Sequence, residues 1–142
     1  MARITTAAFV VAAITLAAAS VASAETIELS AELSGKNDIP PNDTTGTGQA
    51  VASYNTETRV LSWKVTYEGL TGPAMAAHIH GPAPSGGNAG VMIGFTSAAS
   101  PIEGTATLDD AKAQAVLAGH TYVNVHTQAY PGGEIRGALT RK

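Results

Sequence analysis

The chain has 142 residues, a formal net charge of −3 and no cysteine. This length suits one domain rather than several, and the 44% apolar content excludes a disordered chain. The few Lys and Arg residues are scattered without a basic patch, which argues against nucleic acid as a partner. Because disulfides are impossible, the domain must depend on its core or on another support such as a bound metal ion.

Residues 1–24 have the pattern of a signal peptide. Arg3 is their one charged residue, an alanine-rich apolar run follows, and Ala22 to Ala24 form the small-x-small sequence that signal peptidase accepts. The alternative is an uncleaved membrane anchor, but a spanning helix needs about 20 strongly apolar residues. We therefore predict cleavage after Ala24, a domain over residues 25–142 without a membrane span, and a periplasmic or extracellular location.

Residues 25–142 alternate polar and apolar side chains with a period of two, which is typical of half-buried β-strands. Glycine- and proline-rich segments separate the strands. One short helix is predicted where Asp109 and Asp110 precede an alanine-rich run that ends at Gly119. The predicted strands are Thr26 to Leu33, Gly48 to Tyr54, Arg59 to Tyr67, Met75 to His80, Val91 to Phe95, Ile102 to Leu108, Thr121 to Thr127 and Glu134 to Thr140. The pattern indicates an all-β fold, an antiparallel Greek-key sandwich or barrel of seven or eight strands with one short helix.

Three of the four histidines fall on strand positions that face away from the core. His78 and His80 are two residues apart in one strand, so they share a face with Cα atoms about 6.6 Å apart. Apolar neighbours mark the opposite face as the core side, and the same parity places His126 on the outer face of its own strand. If the two strands are neighbours, three imidazole nitrogens within about 3–4 Å of one another can hold one metal ion.

Other interpretations of these polar residues stay open at this point. Histidines two apart on a strand are a weak motif, and such residues can simply solvate an exposed face. His120 follows the helix-ending Gly119 and is interpreted as structural, facing the helix dipole. The acidic pair that opens the helix is interpreted as a cap rather than as paired catalytic carboxylates.

Two further groups were candidates for the same site. Arg136 shares an outer face with Glu134 near His126, where it could guide an anion toward a metal or, as the favoured interpretation, form a plain cross-strand ion pair. Met75 and Met92 are potential soft ligands, but both are predicted to pack, Met75 by its core parity.

Several blocks of the sequence resemble the CHRD domain, a family named from the repeats of chordin and widespread in exported bacterial proteins. The blocks are Ala31 to Gly35 with Pro40 and Pro41, Ala77 to Ala83, Tyr122 to Thr127, and Pro131 to Gly137. In chordin the repeats belong to an extracellular protein that binds growth factors, so the resemblance implies extracellular binding more than catalysis.

The layout is also similar to that of copper-zinc superoxide dismutase, a Greek-key β-domain. That resemblance implies His78, His80 and His126 as copper ligands and Arg136 as a guide for superoxide. The chain departs from the dismutase pattern because it lacks the zinc loop, the disulfide and a clear fourth histidine ligand.

From these observations we expect an exported domain that binds a transition metal. Copper is favoured over zinc, because ligands that are all imidazole and the Irving–Williams order both favour Cu(II), although three histidines with an open position also describe catalytic zinc sites. One alternative is a metal-independent structural module that binds extracellular proteins or polysaccharide. Another is a copper-only superoxide dismutase.

Overall fold

The computed structural model describes residues 23–142. Residues 1–22, and with them nearly all of the predicted signal peptide, lie outside the described residues, so cleavage after Ala24 stays a prediction. Within residues 23–142, no helix combines the length and the apolar character needed to cross a membrane.

Eight strands and one short α-helix make up the domain, which confirms the all-β fold class. The helix, α1 (Asp110–Leu117), lies between the sixth and seventh strands, and a 3-10 helix (Gly35–Asn37) follows the first. The strands are β1 (Thr26–Ser34), β2 (Thr47–Asn55), β3 (Val60–Glu68), β4 (Ala74–His80), β5 (Val91–Gly94), β6 (Ile102–Thr107), β7 (Thr121–Thr127) and β8 (Ile135–Arg141).

All eight strands belong to one antiparallel sheet in the order β5-β4-β7-β8-β1-β2-β3-β6. β1, β2 and β3 are sequential neighbours, whereas the chain crosses the barrel from β3 to β4, from β5 to β6 and from β6 to β7. These crossings are the Greek-key feature that the sequence predicted. The sheet curls into a nearly closed barrel around a single apolar cluster.

The core follows the period-two pattern of the sequence. Leu29, Leu61, Ile79, Val125 and Leu139 are each at most 1% exposed and come from five different strands. Since each fully buried aliphatic side chain contributes about 1.5–3 kcal/mol, this alternation explains how a cysteine-free domain holds its shape. At the start of α1, the Asp109 side chain accepts a hydrogen bond of 2.8 Å from the Lys112 amide, which confirms the helix cap.

The prediction that Met75 packs in the core was wrong. The side chain is 70% exposed instead of packed. A register shift between Ala74 and Ala76 interrupts the pairing of β4 with β7, and such an irregularity breaks the alternation of faces. Met92, by contrast, packs against the core as predicted.

The strands that carry the three histidines are neighbours. β4 pairs with β7, with His78 opposite Asn124 and His80 opposite Tyr122, and β7 pairs with β8 on its other side. The outer face of β7 is covered rather than exposed, since Asn124 and Tyr122 are 3% and 5% accessible. The loop of residues 81–90, called the 81–90 loop below, and the segment of residues 35–46 fold over this face.

Candidate metal centre

Three histidines from β4 and β7 converge at one point on the covered face. His78, His80 and His126 each present one ring nitrogen, and these nitrogens all lie within 4.8 Å of one another. The closest pair is Nδ1 of His78 and Nε2 of His126, at 3.1 Å. Of the residues that the structure describes, these three are the one group of metal-ligand side chains that comes together in this way.

His80 presents a buried nitrogen without a partner. Its Nδ1 lies 3.0 Å from the carbonyl oxygen of Ala89, and because a carbonyl only accepts, Nδ1 carries the proton. The lone pair of the neutral ring is therefore on Nε2. That atom is buried and has no hydrogen-bond partner, which is unusual for a buried polar group and typical of a binding site.

His126 is oriented in the same way by a backbone carbonyl. Its Nδ1 donates to the Pro131 oxygen at 3.0 Å, which leaves the lone pair of Nε2 directed at His78. In the neutral pair, Nδ1–H of His78 donates to that lone pair. Moving the His78 proton from Nδ1 to Nε2 would leave three lone pairs directed at one another, the arrangement that a metal ion requires.

The spacing is close to that of a metal site but wider than predicted. Nitrogen ligands about 2.0–2.1 Å from a tetrahedral ion stand about 3.3 Å apart. The 3.1 Å pair meets this value, whereas the 4.8 Å span of the whole group exceeds the expected 3–4 Å. Closure on an ion therefore requires the most widely separated nitrogens to approach by roughly 1.5 Å, and His78 and His126 are the two rings of the three that are only partly buried.

The electrostatics of the site keep the imidazoles ready for metal. Burial lowers the pKa of His78, and the neighbouring His126 and His80 lower it further. Burial also lowers the pKa of His80, and this effect outweighs the opposing hydrogen bond that His80 donates to the Ala89 carbonyl, with His126 and Arg136 adding to the decrease. Since only the neutral ring can bind a metal ion, both shifts favour binding at neutral pH.

His80 is the first of three stacked side chains that come from three adjacent strands. The His80 ring is parallel to the Tyr122 ring with centroids 4.9 Å apart, and the Arg136 guanidinium carbon lies 3.4 Å from the Tyr122 ring centroid. In strand order Tyr122 stands between the other two. Tyr122 could not be recognised as part of the site from the sequence, where its only signal is a place on the same face as His126.

Arg136 is buried at 4% exposure and points to the 81–90 loop. It donates hydrogen bonds to the Asn88 side chain at 2.7 Å and to the carbonyl oxygens of Gly87 at 2.7 Å and Gly86 at 3.1 Å. The predicted cross-strand ion pair of Arg136 was wrong, since none of the salt bridges within residues 23–142 includes this residue. A role of Arg136 as an anion guide stays a prediction.

Glu134 forms a second buried polar group, on the same covered side of the sheet. The residue has no exposed surface, and its carboxylate accepts from the hydroxyls of Thr44, Thr71 and Thr127 and from the Thr71 amide, at 2.5–2.8 Å. Burial alone would raise the pKa of Glu134, but these hydrogen bonds outweigh it and lower the pKa below its ordinary value. No pattern in the sequence indicates this hydrogen-bond network.

Asp38 and Asn124 place two buried oxygens against Gly133. Oδ2 of Asp38 and Oδ1 of Asn124 have no hydrogen-bond partner, and a Cβ on Gly133 would lie 2.4 Å from each. Gly133 has φ +134, so both its conformation and its surroundings exclude a side chain. The glycine allows the β7–β8 connection to pass close to Asn124, the β7 residue that lies opposite His78 of β4.

Comparison with protein families decides the identity of the domain. The model of the CHRD domain matches residues 29–139. The chain belongs to the CHRD domain family. This match confirms the predicted family, and it contains all three clustered histidines of the CHRD domain as well as Arg136 and Glu134. Comparison with curated proteins and with solved structures gives no match.

Proposed function

We propose that this CHRD domain is an exported metal-binding domain in which His78, His80 and His126 bind one transition-metal ion, with copper as the preferred metal. The single observation that carries the proposal is the buried, unpartnered Nε2 of His80, which faces the ring nitrogens of two further histidines. A buried nitrogen without a partner costs about 1–3 kcal/mol, and a bound ion removes that cost.

The ligand set supports copper. Three neutral imidazoles bind Cu(II) more tightly than they bind other divalent first-row ions. Zinc is the second candidate, because three histidines and one open position also suit zinc. The ligands leave at least one coordination position for water or another small molecule, since the histidine cluster provides only three nitrogens.

Backbone carbonyls give the site a defined outer shell. Ala89 and Pro131 each accept the Nδ1 proton of a histidine, which fixes the tautomer that leaves Nε2 free. Metal-binding histidines commonly use their second nitrogen in this way. Surface histidines that only solvate a strand have no need of such partners, so these two bonds favour a binding site over chance clustering.

The test is a calorimetric titration of the metal-stripped protein with Cu(II) and with Zn(II). We expect one tight copper site that is lost when His78, His80 and His126 are all replaced by alanine. The matched control is His120→Ala, because His120 is the one remaining histidine of the chain and lies outside the cluster. Equal copper affinity in the wild type and in the triple variant would overturn the proposal and favour a metal-independent module for extracellular protein or polysaccharide.

Export is proposed from residues 1–24 and needs its own measurement. Mass spectrometry of the protein recovered from the periplasm or the medium should give a chain that begins at Glu25. A protein that retains Arg3 and sediments with membranes would instead support the uncleaved anchor.

A further inference from the structure

We infer that Arg136 and Tyr122 are positioning residues of the histidine site, and that they hold the 81–90 loop in the arrangement that orients His80. The inference rests on the proposed metal-binding function and assigns residues to that site which are not themselves ligands. It begins from the contacts of Ala89, the loop residue that meets both His80 and Tyr122.

Ala89 joins the loop to both aromatic rings. Its carbonyl oxygen accepts from Nδ1 of His80 at 3.0 Å and from the Tyr122 hydroxyl at 3.2 Å, and its amide donates to the same hydroxyl at 3.0 Å. The Tyr122 ring is also parallel to that of His80, at an angle of 1°. Tyr122 therefore contacts the His80 ring directly and also holds the acceptor that fixes its tautomer.

Arg136 holds the loop from the other side of Tyr122. Its three hydrogen bonds reach Gly86, Gly87 and Asn88, the residues that directly precede Ala89. A guanidinium can do this because it presents several donors in one plane and can also stack on an aromatic face. A lysine in the same place has neither property, so the contacts are specific to arginine.

The burial of Arg136 has a cost that the fold alone does not explain. The residue is 4% exposed, and no carboxylate pairs with it among the salt bridges of residues 23–142. Removing a cation from water without an anionic partner is unfavourable. The loop carbonyls and the Tyr122 ring offset that cost, and their contacts with Arg136 fix the 81–90 loop beside His80.

The consequence is that metal affinity depends on residues that never touch the ion. Replacing the residues that orient a metal-binding histidine commonly costs 10–100-fold in affinity. We therefore expect Arg136→Met and Arg136→Lys each to weaken Cu(II) binding by roughly 10–100-fold. Tyr122→Phe keeps the stacked ring and loses only the hydroxyl, so its loss should be smaller.

The experiment compares these variants with the wild type by three measurements. Competition with a chelator gives the Cu(II) dissociation constant, and electron paramagnetic resonance gives the copper geometry. Nitrogen NMR shifts give the tautomer of His80 in the metal-free protein. Arg141→Met is the matched control, because Arg141 is an exposed arginine of the same strand, and we expect it to behave as the wild type in all three.

A purely structural role would lower the thermal stability of the Arg136 variants and leave the copper spectrum and the His80 tautomer unchanged. Wild-type affinity and spectrum in folded Arg136→Met would overturn the inference. If that variant does not fold, the same outcome in Arg136→Lys overturns it. Absence of copper binding in the wild type would instead refute the metal-binding function, while the His80 tautomer in metal-free variants still decides whether Arg136 and Tyr122 orient the ring.

Discussion

Glu134 and His80 are two buried polar residues on the same covered side of the β4-β7-β8 part of the sheet, and they differ in how their hydrogen bonds are completed. The Glu134 carboxylate accepts four hydrogen bonds, three from hydroxyls and one from an amide. His80 has one nitrogen bonded to a carbonyl, and its other nitrogen is buried without a partner. The protein supplies every hydrogen bond that the Glu134 carboxylate can accept, whereas it supplies no partner for Nε2 of His80.

This difference separates a structural polar group from a binding group. A buried carboxylate with every acceptor used fixes the elements that supply its donors, here the segments around Thr44 and Thr71 and the end of β7. A buried nitrogen with an unused lone pair is a cost to the fold unless something binds it. The two residues are thus expected to respond in opposite ways to mutation and to metal.

The largest effect is expected on stability when Glu134, whose hydrogen bonds are all made within the protein, is replaced. Glu134→Ala leaves three threonine hydroxyls without their shared acceptor, so we expect the free energy of unfolding to fall by about 3 kcal/mol. Copper affinity of the protein that remains folded should change little, because Glu134 is not a ligand. Denaturation by urea with and without copper measures both quantities.

Glu103→Ala is the control for that variant. Glu103 is an exposed glutamate whose carboxylate lies 3.2 Å from the Lys64 ammonium, and surface pairs of this kind contribute less than about 1 kcal/mol. If Glu134→Ala were no more destabilising than Glu103→Ala, the Glu134 network would not have the structural role described above.

The next largest effect is expected on copper affinity when one residue of the histidine cluster is replaced. His126→Ala deletes one of the three proposed ligands, and we expect copper affinity to fall roughly 100-fold, or about 2.8 kcal/mol. The free energy of unfolding of the metal-free protein should fall by only about 1–2 kcal/mol, since His126 is partly exposed and loses its hydrogen bonds to Pro131 and His78. Copper titration and urea denaturation of the same sample would show a large loss of affinity beside a small loss of stability. Copper affinity equal to that of His120→Ala would contradict it.

The fold and the shared outer face of the three histidines could be predicted because both depend on short-range periodicity. A period of two places Ile79 in the core and therefore His78 and His80 on the other face, and the same rule applied to Val125 places His126. The remaining condition, that β4 and β7 are neighbours, is a matter of topology. Neither periodicity nor the family resemblance shows it, and the structure alone supplies it.

The shell around the ligands could not be predicted because its contacts join distant parts of the chain. The bond from Arg136 to Asn88 connects residues 48 apart, and that from Thr44 to Glu134 connects residues 90 apart. A pattern of alternating side chains shows that Tyr122 and Arg136 leave the core, but it cannot show that a loop returns to cover them. For that reason a surface site was expected where the structure has a partly buried one.

The smallest expected effect concerns the stability of the metal-free protein, which should decrease in two separate pH ranges. The pKa values of His78 and His80 are lowered from an ordinary 6.5, so on acidification the unfolded chain takes up these protons first. Stability is therefore complete above pH 6.5 and decreases as the pH falls from there toward the lower folded values. The pKa of Glu134 is lowered from an ordinary 4.5, so its contribution is complete above pH 4.5 and is lost as the pH falls through its folded value.

Urea denaturation in a chelator, from neutral pH to about pH 3, can separate the two ranges. In a variant with both His78 and His80 replaced by alanine, stability should depend less on pH just below 6.5 and keep the wild-type dependence below 4.5. Glu134→Gln should show the reverse. The histidine effect should be the weaker one, because His78 is half-exposed and water screens its charge. An unchanged pH dependence below 6.5 in the histidine variant would mean that burial does not disfavour the charged rings, and would remove one reason for regarding the cluster as prepared for a metal ion.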